Sequence, residues 1–272
     1  MKAIALLSGG LDSILAVKLI LEQGIEIIAL NFTSPFCQCN RKNGCGLESK
    51  KVADLFKIPL KVERLAEEYL EMVKNPRYGY GKNMNPCIDC RILIFKKAKA
   101  YMEELGASFV ISGEVLGERP MSQRRRAMEI IEQDSGLTGL VLRPLSAKLF
   151  SPTIPEKEGW VEREKLLAIT GRSRKPQMKL AEDLGITDYP CPAGGCLLTD
   201  PKFASKMKDL LKYNPDFTMN DVWLLKLGRH FRLSHLTKLI VGRNEKENKG
   251  IKQLSLSMLR YFEGSAYPKG TL

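Results

Sequence analysis

The chain has 272 residues, 44% of them hydrophobic, which is enough for one large α/β domain and a small second one. No stretch reaches the length of a membrane-spanning helix, and Gly9, Gly10 and Asp12 interrupt the apolar N-terminus that a secretion signal would need. We therefore expect a cytoplasmic protein with no membrane partner. The net charge of +12 is uneven, since residues 201–272 contain 14 Lys or Arg and six Asp or Glu. This bias favours a polyanionic partner such as nucleic acid, although a solvated lysine-rich surface has the same composition.

Strands and helices alternate from the N-terminus. Residues 3–7 form a continuous apolar run, typical of a strand buried on both faces, and apolar residues then recur at helical spacing from Ile14 to Leu21. The same patterns predict strands at 25–32, 58–65, 108–113 and 139–147, helices at 47–55, 67–73 and 88–105, and a long loop at 75–85. This order predicts a doubly wound, mostly parallel α/β sheet that binds its ligand beyond the carboxyl ends of the strands. We expect residues 1–200 to form this domain and residues 201–272 a small basic α+β domain with a pair of strands.

The turn between the first strand and the first helix reads Ser8-Gly9-Gly10-Leu11-Asp12-Ser13. Two glycines let the backbone approach a ligand closely, and the helix N-terminus presents N–H groups and positive charge to the loop. That combination suits phosphate, while a tight strand-to-helix connection is the simpler alternative.

This hexapeptide resembles the SGGxDS loop of the PP-loop ATP pyrophosphatases, whose fold is adenine nucleotide α hydrolase-like. The resemblance implies that Ser8, Gly9, Gly10, Asp12 and Ser13 bind the phosphates of ATP. It places Gly113 where backbone packs on the nucleotide. Asp12 is expected to act through Mg²⁺, because a carboxylate beside phosphates needs a cation between them.

The chain has seven cysteines, at positions 37, 39, 45, 87, 90, 191 and 196. An odd count without a secretion signal argues against a disulfide framework and favours metal binding or thiol chemistry. Cys87 and Cys90 stand three residues apart where a loop enters a helix, so both can reach one metal. The N-terminus of that helix would also lower their pKa values.

Two of these segments narrow the resemblance. "NPCIDCRILIF" is similar to the NPxxxC segment of tRNA 2-thiouridylases, which implies a catalytic role for Cys90. "AGGCLL" is similar to the segment carrying their sulfur-bearing cysteine, which implies that role for Cys196. With the additional Cys87, the chain has a CxxC pair and a distant cysteine. This pattern resembles the iron–sulfur branch of tRNA thiolases, which is related to 4-thiouridine synthetases. Carried over, the ligands of a 4Fe–4S cluster would be Cys87, Cys90 and Cys196, with Cys191 as the alternative third ligand.

Three further thiols, Cys37, Cys39 and Cys45, follow the second strand. They resemble part of a Zn²⁺ site, but no fourth ligand stands nearby, and accessory thiols that carry sulfur are the alternative. Arg119, Arg124, Arg125 and Arg126 form a basic cluster predicted to bind tRNA phosphates or the leaving pyrophosphate. A solvated helix start is the alternative for these arginines.

The segment "KLGRHFRLSHLTKLIVGRNEKEN" resembles a short RNA-binding domain of ribosome-quality-control proteins. Together these resemblances imply an ATP-dependent tRNA sulfurtransferase, with tRNA and a sulfur donor (sulfide, or a sulfur carrier or desulfurase) as partners. In this reaction a uridine oxygen is adenylated, pyrophosphate is released, and sulfur from a cluster-bound sulfide or a Cys persulfide replaces the oxygen. The rival functions are another PP-loop ligase, of lysidine or amide-forming type, and a non-catalytic RNA-binding protein with a nucleotide fold.

Overall fold

The computed structural model describes residues 1–37, 45–189 and 195–254. None of the helices in these ranges is long and apolar enough to cross a membrane. The described residues divide into two compact units. Unit 1 contains residues 1–34, 45–65 and 86–189, and unit 2 contains residues 35–37, 66–85 and 195–254.

Unit 1 is built on a five-stranded sheet. Its strands are β1 (Lys2–Leu6), β2 (Glu26–Thr33), β3 (Leu60–Arg64), β4 (Phe109–Ser112) and β5 (Val141–Leu142). All neighbouring strands are parallel, and their order is β3-β2-β1-β4-β5. The predicted α/β class with a parallel sheet is confirmed.

Helices follow the strands of unit 1, as expected for parallel strands that need crossover connections. They are α1 (Leu11–Leu21), α2 (Cys45–Phe56), α4 (Cys87–Glu104), α5 (Arg125–Ser135), α6 (Ile154–Lys157) and α7 (Lys175–Asp183). The sequence patterns predicted α1, α2 and α4 but not the last three. Helix α1 is buried along almost its whole length, which explains why its sequence is apolar on nearly every side.

The strand order reverses at the centre of this sheet. The chain runs from β1 outward through β2 to β3, and β4 then returns to pair with the other side of β1. Such a reversal leaves a crevice beyond the carboxyl ends of the two central strands. The Ser8–Ser13 loop follows β1 and Gly113 follows β4, so both predicted nucleotide segments lie at this switch point.

Unit 2 contains α3 (Glu67–Lys74), α8 (Pro201–Tyr213), α9 (Met219–Leu225), β6 (Arg229–Arg232), β7 (Lys238–Val241) and α10 (Glu245–Leu254). Its core includes Phe36, whose ring centroid lies 5.8 Å from that of Tyr69 and 6.0 Å from that of Phe203. The backbone N–H of Met84 donates to the carbonyl of Leu198 at 3.1 Å. These contacts group residues 35–37 and 66–85 with the C-terminal residues. The sequence analysis instead expects a domain boundary at residue 200.

The predicted C-terminal strand pair is the antiparallel hairpin β6–β7. Asp209 of α8 holds it, because its carboxylate accepts hydrogen bonds from Arg232 at 2.7 and 3.0 Å and from Lys238 at 2.7 Å. The hydrogen bonds from Arg232 are the main reason that the pKa of Asp209 falls to about 2.

Candidate nucleotide and thiol site

Ser8–Ser13 combines a short loop, which ends at the N-cap residue Gly10, with the first turn of α1, so the helix begins earlier than the sequence pattern predicts. The Ser13 hydroxyl donates to the Gly10 carbonyl at 2.8 Å and lies 3.2 Å from the Ser8 hydroxyl. The first hydrogen bond into the helix is the one that the Ile14 N–H donates to the Gly10 carbonyl, at 3.1 Å. The N–H groups of the first turn, before Ile14, therefore have no acceptor within the helix and can donate to a ligand.

Two glycines let other backbone segments pack against this loop. A Cβ on Gly9 would lie 2.6 Å from the Glu48 Cβ, and Gly9 also has a φ of +79°. A Cβ on Gly113 would lie 2.6 Å from both the Asp12 carbonyl carbon and the Ser13 nitrogen. The residue after β4 thus touches the first turn of α1, which only glycine permits at this distance.

Asp12 is the acidic residue of that first turn. Its Oδ1 atom is buried and has no hydrogen-bond partner among the described residues. Burial raises the pKa of Asp12, and the charges of Arg174 and Arg119 and the Gln177 amide act in the opposite direction. A buried carboxylate oxygen without a donor is a suitable ligand for a hard cation such as Mg²⁺, so the residues present fit that ion.

Sequence reasoning missed four residues around this loop. Asn31, at the end of β2, donates from Nδ2 to the Leu7 carbonyl at 2.8 Å and so holds the entry to the loop. Glu118, Arg174 and Gln177 interact electrostatically with Asp12 or lie against it. Burial, then the Asp12 charge, raises the pKa of Glu118. Arg174 and Gln177 lie at the start of α7. This segment is polar, and no sequence signal distinguishes the two residues from surface residues.

Cys87 and Cys90 lie in the first turn of α4, with Pro86 as its N-cap residue. Both side chains are half-buried. The Cys87 thiol donates to the Ser122 hydroxyl at 3.3 Å. The predicted loop-to-helix position of the CxxC pair is confirmed.

A buried ion network joins α4 to the end of β4. Arg91 follows Cys90, and its Nε lies 2.8 Å from Oε1 of Glu114, the residue after Gly113. Arg143 contacts the other Glu114 oxygen at 3.1 Å and also pairs with Glu132. Burial opposes ionisation of Glu114, but the two arginine charges outweigh it and hold its pKa below the ordinary value. The network therefore fixes the thiol-bearing helix to the Gly113 segment.

The four arginines of the predicted cluster have different contacts within the protein. Arg119, Arg124, Arg125 and Arg126 are all exposed. Arg125 donates to the Leu149 carbonyl at 2.7 Å and lies over the Phe150 ring. Arg119 is the member whose charge acts on Asp12. The assignment of all four to tRNA stays a prediction.

Unit 2 contains a second cysteine pair. Cys37 and Cys196 face each other in an isolated antiparallel bridge, and both are half-buried. The side chain of Cys45 and all of Cys39 and Cys191 lie outside the described residues, so the predicted zinc or accessory-thiol site stays a prediction. Among the described residues, no group of three or more His, Cys, Asp or Glu side chains is placed to hold a metal ion.

Two family models match the chain. The model described as "Thiamine biosynthesis protein (ThiI)" matches residues 1–148, and the NFACT protein RNA binding domain matches residues 228–266. The first contains the nucleotide loop, Gly113 and the CxxC pair. The second contains the β6–β7 hairpin.

The chain is also similar to curated relatives over part of its length. It is 32% identical over 116 residues to the tRNA-specific 2-thiouridylase MnmA of Leptospira interrogans, covering 36% of this chain and 31% of the relative. It is 31% identical over 146 residues to the probable tRNA sulfurtransferase of Thermococcus kodakarensis, covering 53% of this chain and 36% of the relative. The chain thus spans about a third of the length of these curated relatives.

Solved structures resemble the chain more weakly. A 4-thiouridine synthetase–RNA complex with bound ATP has a TM-score of 0.43 at 24% identity, covering 68% of this chain and 51% of that one. The U34-tRNA thiolase NcsA of Methanococcus maripaludis, with its [4Fe-4S] cluster, has a TM-score of 0.41 at 18% identity, covering 87% and 75%. Family membership rests instead on the first family model, which matches more than half of the 272 residues and spans the nucleotide loop. This protein belongs to the ThiI family.

Proposed function

We propose that this protein is an ATP-dependent tRNA uridine thiolase. The observation that carries the proposal is the buried, unpartnered Oδ1 of Asp12 on an SGGLDS loop at the sheet's switch point, in a member of the ThiI family. The names of its relatives, a 2-thiouridylase and a probable tRNA sulfurtransferase, supply the substrate class. The match of residues 228–266 to an RNA-binding domain supports an RNA partner.

The loop residues would bind the phosphates of ATP. Backbone N–H groups of the first turn of α1 would donate to phosphate oxygens, and the Ser8 and Ser13 hydroxyls would supply further donors. Asp12 would hold Mg²⁺, which neutralises phosphate charge when bound.

The reaction has two displacement steps. A uridine carbonyl oxygen attacks the α-phosphorus of ATP, the bond to the β-phosphate oxygen breaks, and pyrophosphate leaves. A sulfur nucleophile then attacks the adenylated carbon, the carbon–oxygen bond breaks, and AMP leaves with the oxygen. The target base must be splayed from its stack to reach the loop. We assign the sulfur step to Cys90 and Cys196.

The sulfur carrier is either a cluster-bound sulfide or a Cys persulfide. A 4Fe–4S cluster held by Cys87, Cys90 and Cys196 would supply an open iron that binds sulfide. Cys87 and Cys90 belong to unit 1 and Cys196 to unit 2, so this ligand set rests on the resemblance to the iron–sulfur thiolases. A persulfide on Cys196 is the alternative carrier.

Pyrophosphate release and nucleoside analysis test the function. Wild-type protein with tRNA, Mg²⁺–ATP and sulfide should release pyrophosphate and produce thiolated uridine detectable by mass spectrometry. Asp12→Ala should lose both while keeping its melting temperature, because Asp12 lies in the first turn of α1 and is not part of the hydrophobic core. Near-wild-type turnover by this variant would contradict the assignment of the loop.

Iron and sulfide analysis tests the sulfur route. If a cluster forms, anaerobically reconstituted protein should hold about four irons and four sulfides per chain, and Cys87→Ala, Cys90→Ala and Cys196→Ala should each lose them. The matched variant Cys37→Ala should keep them. Full activity after iron chelation, with a persulfide donor such as a desulfurase in place of sulfide and with loss of activity in Cys196→Ala, would instead support the persulfide route.

A further inference from the structure

Large hydrophobic side chains cluster at the surface of the β6–β7 hairpin in unit 2. They are Phe231, Leu233, Leu236 and Leu239, and their exposed fractions are 47%, 64%, 83% and 37%. Phe231 and Leu239 are direct cross-strand partners. Leu233 follows Phe231 by two residues and therefore points to the same side of the ribbon, while Leu236 lies in the turn. We call the side formed by Phe231, Leu233 and Leu239 the outer face of the hairpin.

The opposite side of the hairpin is held by the protein. Arg232 and Lys238 lie on that side, and both donate to Asp209 of α8 at 2.7 Å. The Ser234 hydroxyl closes the turn, because it accepts hydrogen bonds from two following backbone N–H groups at 3.1 and 3.2 Å. The hairpin is thus fixed from one side and presents its apolar side chains to solvent on the other. Exposed hydrophobic side chains grouped in this way mark an interaction surface.

Positive charge accompanies this apolar surface. Arg229 is exposed two residues before Phe231, on the outer face, and residues 201–272 contain 14 Lys or Arg against six Asp or Glu. A suitable partner therefore combines negative charge with a flat apolar surface. Single-stranded RNA does so, because its phosphates are charged and each unpaired base offers a π face. A second copy of this chain would bring the same positive charge, and like charges oppose such pairing.

The exposed ring distinguishes unpaired from paired RNA. In an RNA duplex the bases stack on one another, and the deep, narrow major groove excludes side chains. Phe231 can therefore stack only on a base that has left the helix, as in a loop, a bulge or a chain end. Leu239 lies directly beside the ring and extends its apolar surface. Binding to phosphates alone would need neither side chain.

We propose that the outer face of the hairpin binds unpaired bases of tRNA, with one base stacked on the Phe231 ring and a neighbouring phosphate bound by Arg229. Leu233 and Leu239 would lie beside that base and exclude water from the stack. The match to an RNA-binding domain does not say which part of an RNA is bound, and this inference names it. It rests on the proposed function for the identity of the RNA as tRNA, whereas the stacking itself needs only an unpaired strand.

Fluorescence anisotropy of the full chain with a labelled oligouridine of about 12 nucleotides tests the stacking. Phe231→Ala should bind this strand about 5-fold or more weakly, the lower limit for losing one stack between a base and an aromatic ring. The slope of log affinity against log salt should keep its wild-type value, because the substitution removes no charge. Affinity for an RNA duplex of the same length should not change.

Two variants serve as controls. Phe231→Tyr keeps the ring and should bind oligouridine as the wild type does. Leu55→Ala removes a side chain of α2 in unit 1 that is 64% exposed, and it should also leave binding unchanged. All these side chains lie at the surface, so the melting temperatures of the three variants should equal that of the wild type. A loss in Phe231→Ala alone then reflects binding and not folding.

Phe231→Trp reports the stacking directly. The chain has two natural tryptophans, so the difference from the wild-type spectrum isolates the emission of the introduced indole. Oligouridine should quench this additional emission, because a stacked base contacts the ring. The duplex should leave it unchanged.

The outcomes separate this inference from the proposed function. If Phe231→Ala binds oligouridine and tRNA as tightly as the wild type, the inference is wrong and the proposed function stands. If wild-type protein binds neither RNA, the RNA-binding part of the proposed function fails together with the inference. Equal losses for the single strand and the duplex would show that Phe231 supports phosphate binding only. Preference for phosphatidylserine vesicles over oligouridine would show that the outer face docks on an anionic membrane. Either of these two results would also overturn the inference.

Discussion

At the scale of single residues, close approach of backbone segments determines the geometry of the nucleotide loop. The φ angle of Gly113 is not positive, so other residues could adopt its backbone conformation. Glycine is required there because a Cβ would clash with the neighbouring backbone. Its position directly after β4 was predictable from the resemblance to PP-loop proteins. Its contact with the Asp12 carbonyl carbon was not, because sequence patterns do not report which backbone segments touch.

Gly113→Ala should therefore displace the first turn of α1. The added Cβ would meet two backbone atoms at 2.6 Å, and neither can move without moving the loop. We expect pyrophosphate release to fall at least 10-fold and the free energy of unfolding to fall by about 1–3 kcal/mol, a typical cost of overpacking. Gly46→Ala is the control, since its Cβ would meet nothing closer than 4.0 Å, in the first turn of α2. Unchanged turnover in Gly113→Ala would contradict the close packing.

His230 predicts a pH dependence of stability. Burial, followed by the nearby charge of Lys206, lowers its pKa to about 4 from the 6.5 of the unfolded chain, and Lys238 adds to this effect. Between pH 6.5 and 4 the unfolded state therefore binds a proton that the folded state does not, so the free energy of unfolding decreases as the pH falls. In the folded state Asp209 and Glu247, whose pKa values are about 2, stay charged throughout this range, and protonation of both groups in the unfolded chain adds to the loss near its lower end.

Urea unfolding of the full chain at about pH 7 and about pH 4.5 measures this effect. His230→Gln should lose less stability over that interval than the wild type, because its side chain cannot take up the proton. His235→Gln, which changes the exposed histidine of the same hairpin, should behave as the wild type. A wild-type pH dependence in His230→Gln would show that other groups cause the loss.

At the scale of elements, hydrophobic periodicity predicted all five strands of the sheet and the helices α1, α2 and α4. These elements bury continuous or helically spaced apolar residues, so their sequences report their environment directly. Helix α7 was missed because only Gln177 and Ala181 among its residues are fully buried. The same polarity concealed Arg174 and Gln177, since nothing but the folded contact with α1 distinguishes them from surface side chains.

The bridge between Cys37 and Cys196 predicts a cross-strand disulfide under oxidising conditions. The Leu197 N–H donates to the Phe36 carbonyl at 2.8 Å. The hydrogen bond therefore joins the residues next to Cys37 and Cys196, which are a non-hydrogen-bonded pair of the antiparallel bridge. The Cα atoms of such pairs are about 4.5 Å apart, within the range of about 4.4–6.8 Å that disulfides allow.

Treatment with oxidised glutathione, proteolysis and mass spectrometry should detect a peptide linked through Cys37 and Cys196. In the exchange, one thiolate displaces a glutathione thiolate from the added disulfide and the second thiolate then displaces the other. Dithiothreitol should reverse the linkage. The Cys37→Ser variant should form no such peptide and serves as the control. If Cys196 instead links mainly to Cys90, the bridge is not what determines its partner.

At the scale of the whole molecule, positive charge is concentrated at the C-terminal end, and unit 2 has a core of its own. The excess of eight basic residues in 201–272 was predictable by counting. The contribution of residues 35–37 and 66–85 to that core was not, because it depends on the contacts of Phe36 with Tyr69 and Phe203. Removing residues 201–272 would therefore expose the aromatic core as well as remove charge, so charge must be tested in the intact chain.

The salt dependence of tRNA binding measures the role of this charge. Replacing the exposed residues Lys208, Arg229 and Lys246 by glutamine should weaken binding and reduce the slope of log affinity against log salt, by up to about 0.7–0.9 for each phosphate that is no longer neutralised. The control replaces three exposed lysines of unit 1, Lys50, Lys96 and Lys157, and removes the same net charge. If unit 2 binds the phosphate backbone, the slope should fall much further in the first variant than in the second. An equal reduction in the two variants would show that tRNA responds to the total charge of the protein, and the basic C-terminal surface would then have no specific role in binding.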